Sequence, residues 1–195
     1  MAPPTRPRIV LASASPRRRE LLEAAGLAFE VRPADVDESL RAGTLAEAGA
    51  VLLAERKARA AASDPASAGA IILAADTIVS IGTDLLGKPA DAREARGMLQ
   101  RLSGSRHEVV TGVCALRVAD ARIESGWERT RVTMRTISPG EIEAYVASGE
   151  WEGKAGGYAI QETADRFVVR LEEGGLDNVV GLPVDLALRL LERLG

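Results

Sequence analysis

Three consecutive arginines, Arg17–Arg19, follow the dipeptide Ser15-Pro16 near the beginning of the chain. Serine followed by proline is typical of a helix start, and here it comes shortly after the apolar run Ile9–Leu11, which predicts a strand. Because the free N–H groups of a helix start carry partial positive charge, arginines are unfavourable there unless an anion binds. Together with the Ser13 hydroxyl, these donors predict a phosphate-binding site. A solvated basic turn is the alternative.

Asp76 is the carboxylate that stands out in the sequence. It follows the continuous apolar run Ile71–Ala75, which predicts a strand buried on both faces. We therefore expect Asp76 at the carboxyl end of that strand, where open α/β sheets bind ligands. A buried carboxylate is unfavourable unless it meets a metal, a cation or a hydrogen-bond donor. Glu38, in the acidic loop 35–39, is the second candidate. A turn-forming role for Asp76 and a solvated position for Glu38 are the alternatives.

Lysine is rare in this chain, where only three of the 25 basic residues are lysines and the rest are arginines. They are Lys57, Lys88 and Lys154, and the last two lie in turns that contain glycine or proline. A compact ammonium group can be required where a planar guanidinium does not fit. The retained lysines are therefore candidate functional residues, with chance as the alternative.

Several common mechanisms are excluded by the composition. His107 is the only histidine and Cys114 the only cysteine, so neither an intramolecular disulfide nor a Cys/His metal site can form. His107 begins a predicted strand and is interpreted as structural. The sequence contains no nucleophile elbow, Walker loop or Rossmann glycine pattern. What remains is a set of basic residues that can bind phosphate oxygens and of carboxylates that can bind Mg²⁺ and orient a water. These are the groups that phosphoanhydride hydrolysis requires.

The elements that must position these residues alternate along the chain. Strands are predicted at 8–13, 29–31, 70–75, 109–118, 131–137 and 167–171, with a hairpin turn at 119–122. Helices are predicted at 16–25, 45–62, 91–102 and 183–194, and another runs from a capping box at Ser138–Glu141 to about residue 148. Interleaved strands and helices indicate an α/β fold, and the amphipathic 131–137 segment favours an antiparallel pair in a mixed sheet.

Length and composition predict one domain over residues 8–195, preceded by a loose tail of residues 1–7. The hydrophobic fraction of 46% is enough for a sizeable core, and aromatic residues make up only 3%. A net charge of −3 and few aromatics disfavour nucleic-acid partners. No apolar run approaches the length that spans a bilayer, and the cytoplasm is the predicted compartment. The oligomeric state is left open, with a homodimer among the possibilities.

Eight short motifs, in order along the chain, carry a resemblance to a known family. They are Leu-Ala-Ser-Ala-Ser-Pro-Arg-Arg at 11–18, Asp-Glu at 37–38, Arg-Lys-Ala at 56–58, Ala-Asp-Thr-Ile-Val at 75–79, Gly-Lys-Pro at 87–89, Leu-Ser-Gly at 102–104, Gly-Lys-Ala-Gly-Gly-Tyr-Ala-Ile-Gln at 153–161 and Asn-Val-Val-Gly-Leu-Pro at 178–183. Each motif alone is weak, but the ordered set is specific. From Ile9 to Leu194 the chain resembles the Maf family of nucleoside triphosphate pyrophosphatases, also described as septum-formation proteins.

The resemblance implies hydrolysis of a nucleoside triphosphate to the monophosphate and pyrophosphate with a divalent cation, Mg²⁺ or Mn²⁺. It also implies a mixed, twisted sheet flanked by helices, in two lobes with a central cleft. By match to the family motifs, Asp76 would accept the proton of the attacking water, and Glu38 and Asp76 would bind the metal. The other implied catalytic residues are Lys57 and Lys88, and the implied substrate-binding residues are Ser13, Arg17, Arg18, Thr77 and Gln161.

Three of these positions resemble the family branch that acts on dTTP and UTP: Arg17, Thr77 and Gln161. The sister branch tends to have an aromatic residue at the position of Arg17, Gln at that of Thr77 and Glu at that of Gln161. One physical account is that Thr77 and Gln161 offer donor and acceptor groups to the imide edge of a pyrimidine. Glu162 departs from the family pattern, which usually has glycine after Gln161, and this predicts an altered loop conformation or repulsion of a triphosphate.

Two other functions remain open at this stage. A non-catalytic nucleotide-binding regulator, for example of cell division, would use the same basic residues, and only Asp76 and Glu38 argue for turnover. A nucleic-acid-binding module would use the Arg17–Arg19 cluster, and a steep loss of affinity with salt would support it.

Overall fold

A mixed β-sheet runs through the protein. The structure is a computed structural model and describes residues 7–161 and 163–195. Within these residues the sheet has seven strands, which are β1 (Ile9–Leu11), β2 (Glu30–Val31), β3 (Ile71–Ile81), β4 (Asp84–Leu86), β5 (Arg106–Arg117), β6 (Arg122–Met134) and β7 (Val168–Glu172). The strand order is β2-β1-β3-β5-β6-β7, and β4 pairs with the end of β3. β1 is parallel to β2 and β3, and the other pairs are antiparallel, so the predicted mixed sheet is confirmed.

Helices flank the sheet, as predicted. They are α1 (Pro16–Ala24), α2 (Ala46–Ala62), α3 (Ala92–Leu102), α4 (Pro139–Ser148), α5 (Leu176–Val180) and α6 (Val184–Glu192). The predicted capping box at the start of α4 is present, because Ser138 and Glu141 each accept the backbone N–H of the other. No helix in the described ranges is long and apolar enough to cross a bilayer. Residues 1–6 of the predicted tail lie outside the described residues.

β3 is covered by helices on both faces, which explains its continuous apolar run. Ile72 and Ala74 pack with alanines of α2, while Leu73 and Ala75 pack with α6. A separate core, built from α3, α4 and the far ends of β5 and β6, includes Tyr145 and Phe167, whose rings meet edge to face.

The position of Asp76 differs from the prediction. β3 does not end at residue 75 but continues to Ile81, so Asp76 lies in the middle of the strand, opposite Gly112 of β5. The apolar run ends at Asp76 because polar partners begin here: Asp76 points toward Lys57 of α2 and Thr77, on the opposite face of the sheet, toward Arg18 of α1. Both residues line a cleft, and the backbone pairing with β5 continues past them. β6 is likewise longer than predicted, since it begins at Arg122. β4 and α5 were not predicted.

The packing of α2 on the sheet depends on Gly112. A Cβ atom at this position would lie 2.2 Å from the carbonyl carbon of Ala50 and 2.4 Å from the Val51 nitrogen. The absence of a side chain therefore lets the backbone of α2 touch β5. This close approach brings Lys57, on the buried face of α2, to the cleft above β3.

Candidate active site

A cleft of about 810 Å³ lies between the start of α1, the middle of β3 and the glycine-rich segment 153–161. Clefts of this size bind small molecules, cofactors and nucleotides. Every residue singled out in the sequence as a site residue lines it, and the structure thus brings together Ser13, Arg17, Arg18, Glu38, Lys57, Asp76, Thr77, Lys88 and Gln161. Glu162 lies outside the described residues, so its predicted effect on this loop is left as a prediction.

An alternating row of charges occupies the floor of the cleft. Lys57 contacts Asp76, and its Nζ atom lies 2.7 Å from Oε1 of Glu38. Glu38 in turn accepts hydrogen bonds of 2.8 and 2.9 Å from Nζ of Lys88. Lys57 and Asp76 are almost fully buried, whereas Glu38 and Lys88 are more exposed. Each carboxylate thus has a cationic partner, which satisfies the requirement for buried charge.

The charge state of Glu38 follows from this arrangement. Partial burial raises the pKa of its carboxyl group, but hydrogen bonds and charge attraction from Lys57 and Lys88 together outweigh burial. The net result is a pKa below the ordinary value of 4.5. Glu38 is therefore ionised at neutral pH, as a ligand for a cation must be.

Arg18 holds the walls of the cleft together. Its guanidinium donates to the Gly181 carbonyl at 2.7 Å, to Ser13 Oγ at 3.3 Å and to Thr77 Oγ1 at 3.1 Å. Burial lowers the pKa of Arg18, which the nearby Asp76 carboxylate counteracts. Since the ordinary pKa of arginine is above 12, it stays charged. Three segments distant in the chain therefore converge on one side chain.

Arg17 differs from its neighbour in having donor capacity left over. Its Nε atom is buried without a hydrogen-bond partner among the described residues, although the side chain lines the cleft. It sits in the first turn of α1, which begins at Pro16 after the Ser15 cap and has no acidic residue in that turn. A buried, unpaired cationic donor beside a helix start is the arrangement that binds an anion.

The glycine-rich segment closes the opposite side of the cleft. Its Gly156 N–H donates to the Gly87 carbonyl at 2.9 Å, which joins this segment to the turn that carries Lys88. Gly156 has a φ of +70°, and a Cβ there would come within 3.0 Å of Val79. Tyr158 shares a 2.8 Å hydrogen bond with Nε2 of His107 on β5. His107 thus has the structural position predicted for it.

The carboxylates of the cleft fit a site for Mg²⁺ in which the substrate and waters supply the other ligands, rather than a site in which protein side chains supply all of them. The described residues contain no group of three or more His, Cys, Asp or Glu side chains that could hold a metal. Glu38 and Asp76 nevertheless meet at the same ammonium group of Lys57. Two carboxylates are sufficient for Mg²⁺ when phosphate oxygens and waters complete its octahedral shell.

Sequence reasoning missed a polar network behind Thr77. Thr111 of β5 and Asn178 of α5 are fully buried and hydrogen-bond to one another and toward the cleft. Asn178 appeared only as part of a motif, and Thr111 was hidden in an apolar strand. The available signal was a hydroxyl residue inside the otherwise apolar run Val109–Leu116, where a buried hydroxyl needs a partner.

Comparison with known proteins gives consistent results along the whole chain. The sequence profile of the family described as Maf, Maf-like protein, matches residues 8–194. A protein of Myxococcus xanthus named dTTP/UTP pyrophosphatase is 51% identical over 187 residues, covering 96% of this chain and 92% of the relative. Proteins with the same name from Anaeromyxobacter dehalogenans strain 2CP-C and Maricaulis maris are each 48% identical over 191 residues, covering 97% of this chain and 95% and 89% of theirs.

A solved structure shows a more distant likeness. It is a nucleoside-triphosphatase, dITP/XTP pyrophosphatase, from Mycobacterium abscessus, with a TM-score of 0.42 and 15% identity over 73% of this chain and 94% of that one. A similarity of this size carries no argument about the site.

Proposed function

Because the chain belongs to the Maf family, we propose that it hydrolyses dTTP and UTP to the corresponding monophosphate and pyrophosphate. The observation that carries this proposal is the cleft itself. An arginine at a helix start, whose Nε atom has no partner among the described residues, and a row of paired lysines and carboxylates line one cavity of nucleotide size. The relatives named above bear the name of this activity.

The triphosphate would lie along the positive side of the cleft. Arg17 supplies an unpaired guanidinium donor, the start of α1 supplies its partial positive charge, and Lys88 lies on the opposite wall. Arg18 would add charge while it keeps Ser13 in place. These cations would neutralise the negative charge that accumulates on the departing pyrophosphate.

The hydrolytic step would use Asp76 as the proton acceptor. A water oxygen forms a bond to the α-phosphorus, one water proton moves to a carboxylate oxygen of Asp76, and the bond from the α-phosphorus to the bridging oxygen breaks. Pyrophosphate then leaves. Lys57 contacts Asp76 and also joins it to Glu38, so that both carboxylates meet at one ammonium group.

A divalent cation, Mg²⁺ or Mn²⁺, would be held by Glu38 and Asp76 and would neutralise charge on the phosphate oxygens. Base recognition would fall to Thr77 and Gln161, which both line the cleft. We also propose that residues 8–195 form one catalytic domain that works in the cytoplasm, where its charged substrates are retained by the membrane. The homodimer stays a prediction that light scattering would test.

The test is a pyrophosphate assay on the purified protein. It is incubated with dTTP, UTP, CTP, GTP or ATP and with Mg²⁺ or Mn²⁺, and both pyrophosphate and monophosphate are measured. Fast cleavage of dTTP and UTP that is lost in Asp76→Asn, while nucleotide binding is kept, supports the proposal. Binding without release from any of the five would instead favour a non-catalytic nucleotide-binding regulator.

A further inference from the structure

A chain of hydrogen bonds runs from the cleft into the core behind Thr77. Thr77 Oγ1 lies 2.9 Å from Oγ1 of Thr111, and Thr111 Oγ1 lies 2.9 Å from the backbone oxygen of Asn178. On its other side Thr77 Oγ1 receives a 3.1 Å hydrogen bond from Arg18 Nη2. Thr111 and Asn178 have no exposed surface, so water does not compete for these bonds.

The direction of every bond in this chain follows from the groups at its ends. A carbonyl oxygen only accepts, so the single hydroxyl proton of Thr111 must point to the Asn178 oxygen. Thr111 can then only accept from Thr77, and the single proton of Thr77 points into the core. A guanidinium only donates, so Arg18 takes one of the two lone pairs of Thr77. What Thr77 has left is one lone pair and no donor.

The Asn178 end of the chain is held in one orientation. The Nδ2 atom of Asn178 donates to the Val109 carbonyl at 3.1 Å and to Thr130 Oγ1 at 2.9 Å, and Thr130 in turn donates to the Gly175 carbonyl. Because the Val109 oxygen only accepts, the amide cannot be reversed without placing two acceptors together. These bonds tie Asn178 to β5 and β6, next to Thr111, whose hydroxyl donates to its backbone oxygen.

Thr77 is half-buried and lines the cleft, so its side chain lies within reach of a bound ligand. A phosphate oxygen would repel this acceptor, whereas a substrate N–H group would bind to it. At the ring nitrogen N3, uracil and thymine carry a hydrogen and cytosine carries a lone pair. A hydrogen-bond acceptor at this position thus favours uracil and thymine over cytosine.

We propose that Thr111 is a positioning residue that makes Thr77 an acceptor only, and that Thr77 thereby selects the N3–H group of uracil and thymine against the bare N3 of cytosine. This inference rests on the proposed function, since it assumes that a pyrimidine nucleotide enters the cleft. Thr111 acts without touching the substrate. Its contribution is to accept the hydroxyl proton of Thr77, which could otherwise donate to the N3 atom of cytosine.

The test compares Thr111→Val, which removes the hydroxyl at nearly constant volume, with Thr111→Ser, which keeps it. The quantity measured is the ratio of kcat/KM for UTP to that for CTP. In Thr111→Val we expect the ratio to fall at least about tenfold, the equivalent of one neutral hydrogen bond, and in Thr111→Ser we expect it to stay near the wild-type value. A purely structural role would lower the melting temperature and both rates together but would leave the ratio unchanged, and that result would overturn the inference.

A second measurement uses the wild-type protein and holds even if Thr111→Val does not fold. Fluorine at position 5 of uracil lowers the pH at which N3 loses its proton. We expect kcat/KM for 5-fluoro-UTP to decline at lower pH than kcat/KM for UTP, and coincident pH profiles would contradict the role given to Thr77. Wild-type protein that releases no pyrophosphate from UTP or dTTP would contradict the proposed function itself, which the ratio test does not address.

Discussion

Lys57 and Asp76, 19 positions apart in the chain, form a buried ion pair between helix α2 and the middle of strand β3. The side chains are 9% and 7% exposed, so neither charge is stabilised by bulk water. Each depends on the other, and Lys57 also contacts Glu38. Removal of either partner should therefore affect both the chemistry and the fold.

Lys57→Met is expected to lower kcat by at least about 100-fold, because it leaves two carboxylates facing one another without the cation between them. Steady-state kinetics with dTTP and UTP measure the change in kcat. Arg59→Met, on the exposed face of the same helix, is the matched control and should leave kcat unchanged. An unchanged kcat in Lys57→Met would argue against a role of this ion pair in the hydrolytic step.

Arg17 and Arg18 are adjacent in the chain and should behave differently when each is changed to Met. Arg17 lines the cleft and its Nε atom has no partner among the described residues, so Arg17→Met should raise KM about tenfold or more and alter the melting temperature little. Arg18 makes three hydrogen bonds within the protein, so Arg18→Met should lower the free energy of unfolding by about 2 kcal/mol or more. Thermal melts and steady-state kinetics on both variants measure this contrast. Equal loss of stability in the two would contradict it.

Gly112→Ala should destabilise the protein by about 3 kcal/mol or more, because its Cβ would overlap the backbone of α2 at Ala50. Urea unfolding measures the change. Gly97→Ala is the matched control, since Gly97 lies within helix α3 and a Cβ there meets nothing within 4 Å. It should be neutral or stabilise by up to about 1 kcal/mol. Equal stability of the two variants would show that α2 can move away from β5 without loss.

His107 predicts a pH dependence of stability. Burial lowers its pKa from 6.5 to about 4. The unfolded chain therefore binds a proton between these values that the folded protein does not, and the stability that His107 contributes is lost as the pH falls from 6.5 toward 4. Between pH 7.5 and 5 the loss should be about 2 kcal/mol. Urea unfolding at both pH values measures it, and His107→Gln, which cannot titrate, should show a correspondingly smaller change. The same slope in both proteins would assign the effect to other groups.

Removal of divalent cations should abolish activity and leave the fold intact. The described residues hold no cluster that would bind a structural metal, and Glu38 and Asp76 are already paired with lysines. EDTA should therefore eliminate pyrophosphate release while the melting temperature stays the same, and Mg²⁺ or Mn²⁺ should restore activity. A large drop in melting temperature on chelation would indicate a structural role for the metal.

Some helix starts and buried runs of this fold follow from the sequence, whereas the length of strand β3 does not. The helix start at Ser15-Pro16, the capping box of α4 and the buried run before Asp76 were predictable because each rests on local hydrogen bonding or on a hydrophobic period. The end of β3 was not predictable, because a strand ends where its pairing with neighbouring strands ends. β3 pairs with β5 as far as Ser80, and nothing near residue 75 in the sequence records that partner.

The sequence by itself determined the alternating order of strands and helices and the identity of the cationic and acidic residues that meet in the cleft, because these depend on local patterns and on residue types. Only the tertiary structure decided that Arg18 binds three groups of the protein while the Nε atom of Arg17 has no partner among the described residues. It also decided that Thr111 donates to Asn178 and so accepts from Thr77. The physical reason is that these properties belong to partners far away in the chain. Gly181 lies 163 positions from Arg18, and Asn178 lies 67 positions from Thr111. A hydrogen bond is directed by the group at its other end, and folding alone brings that group into place.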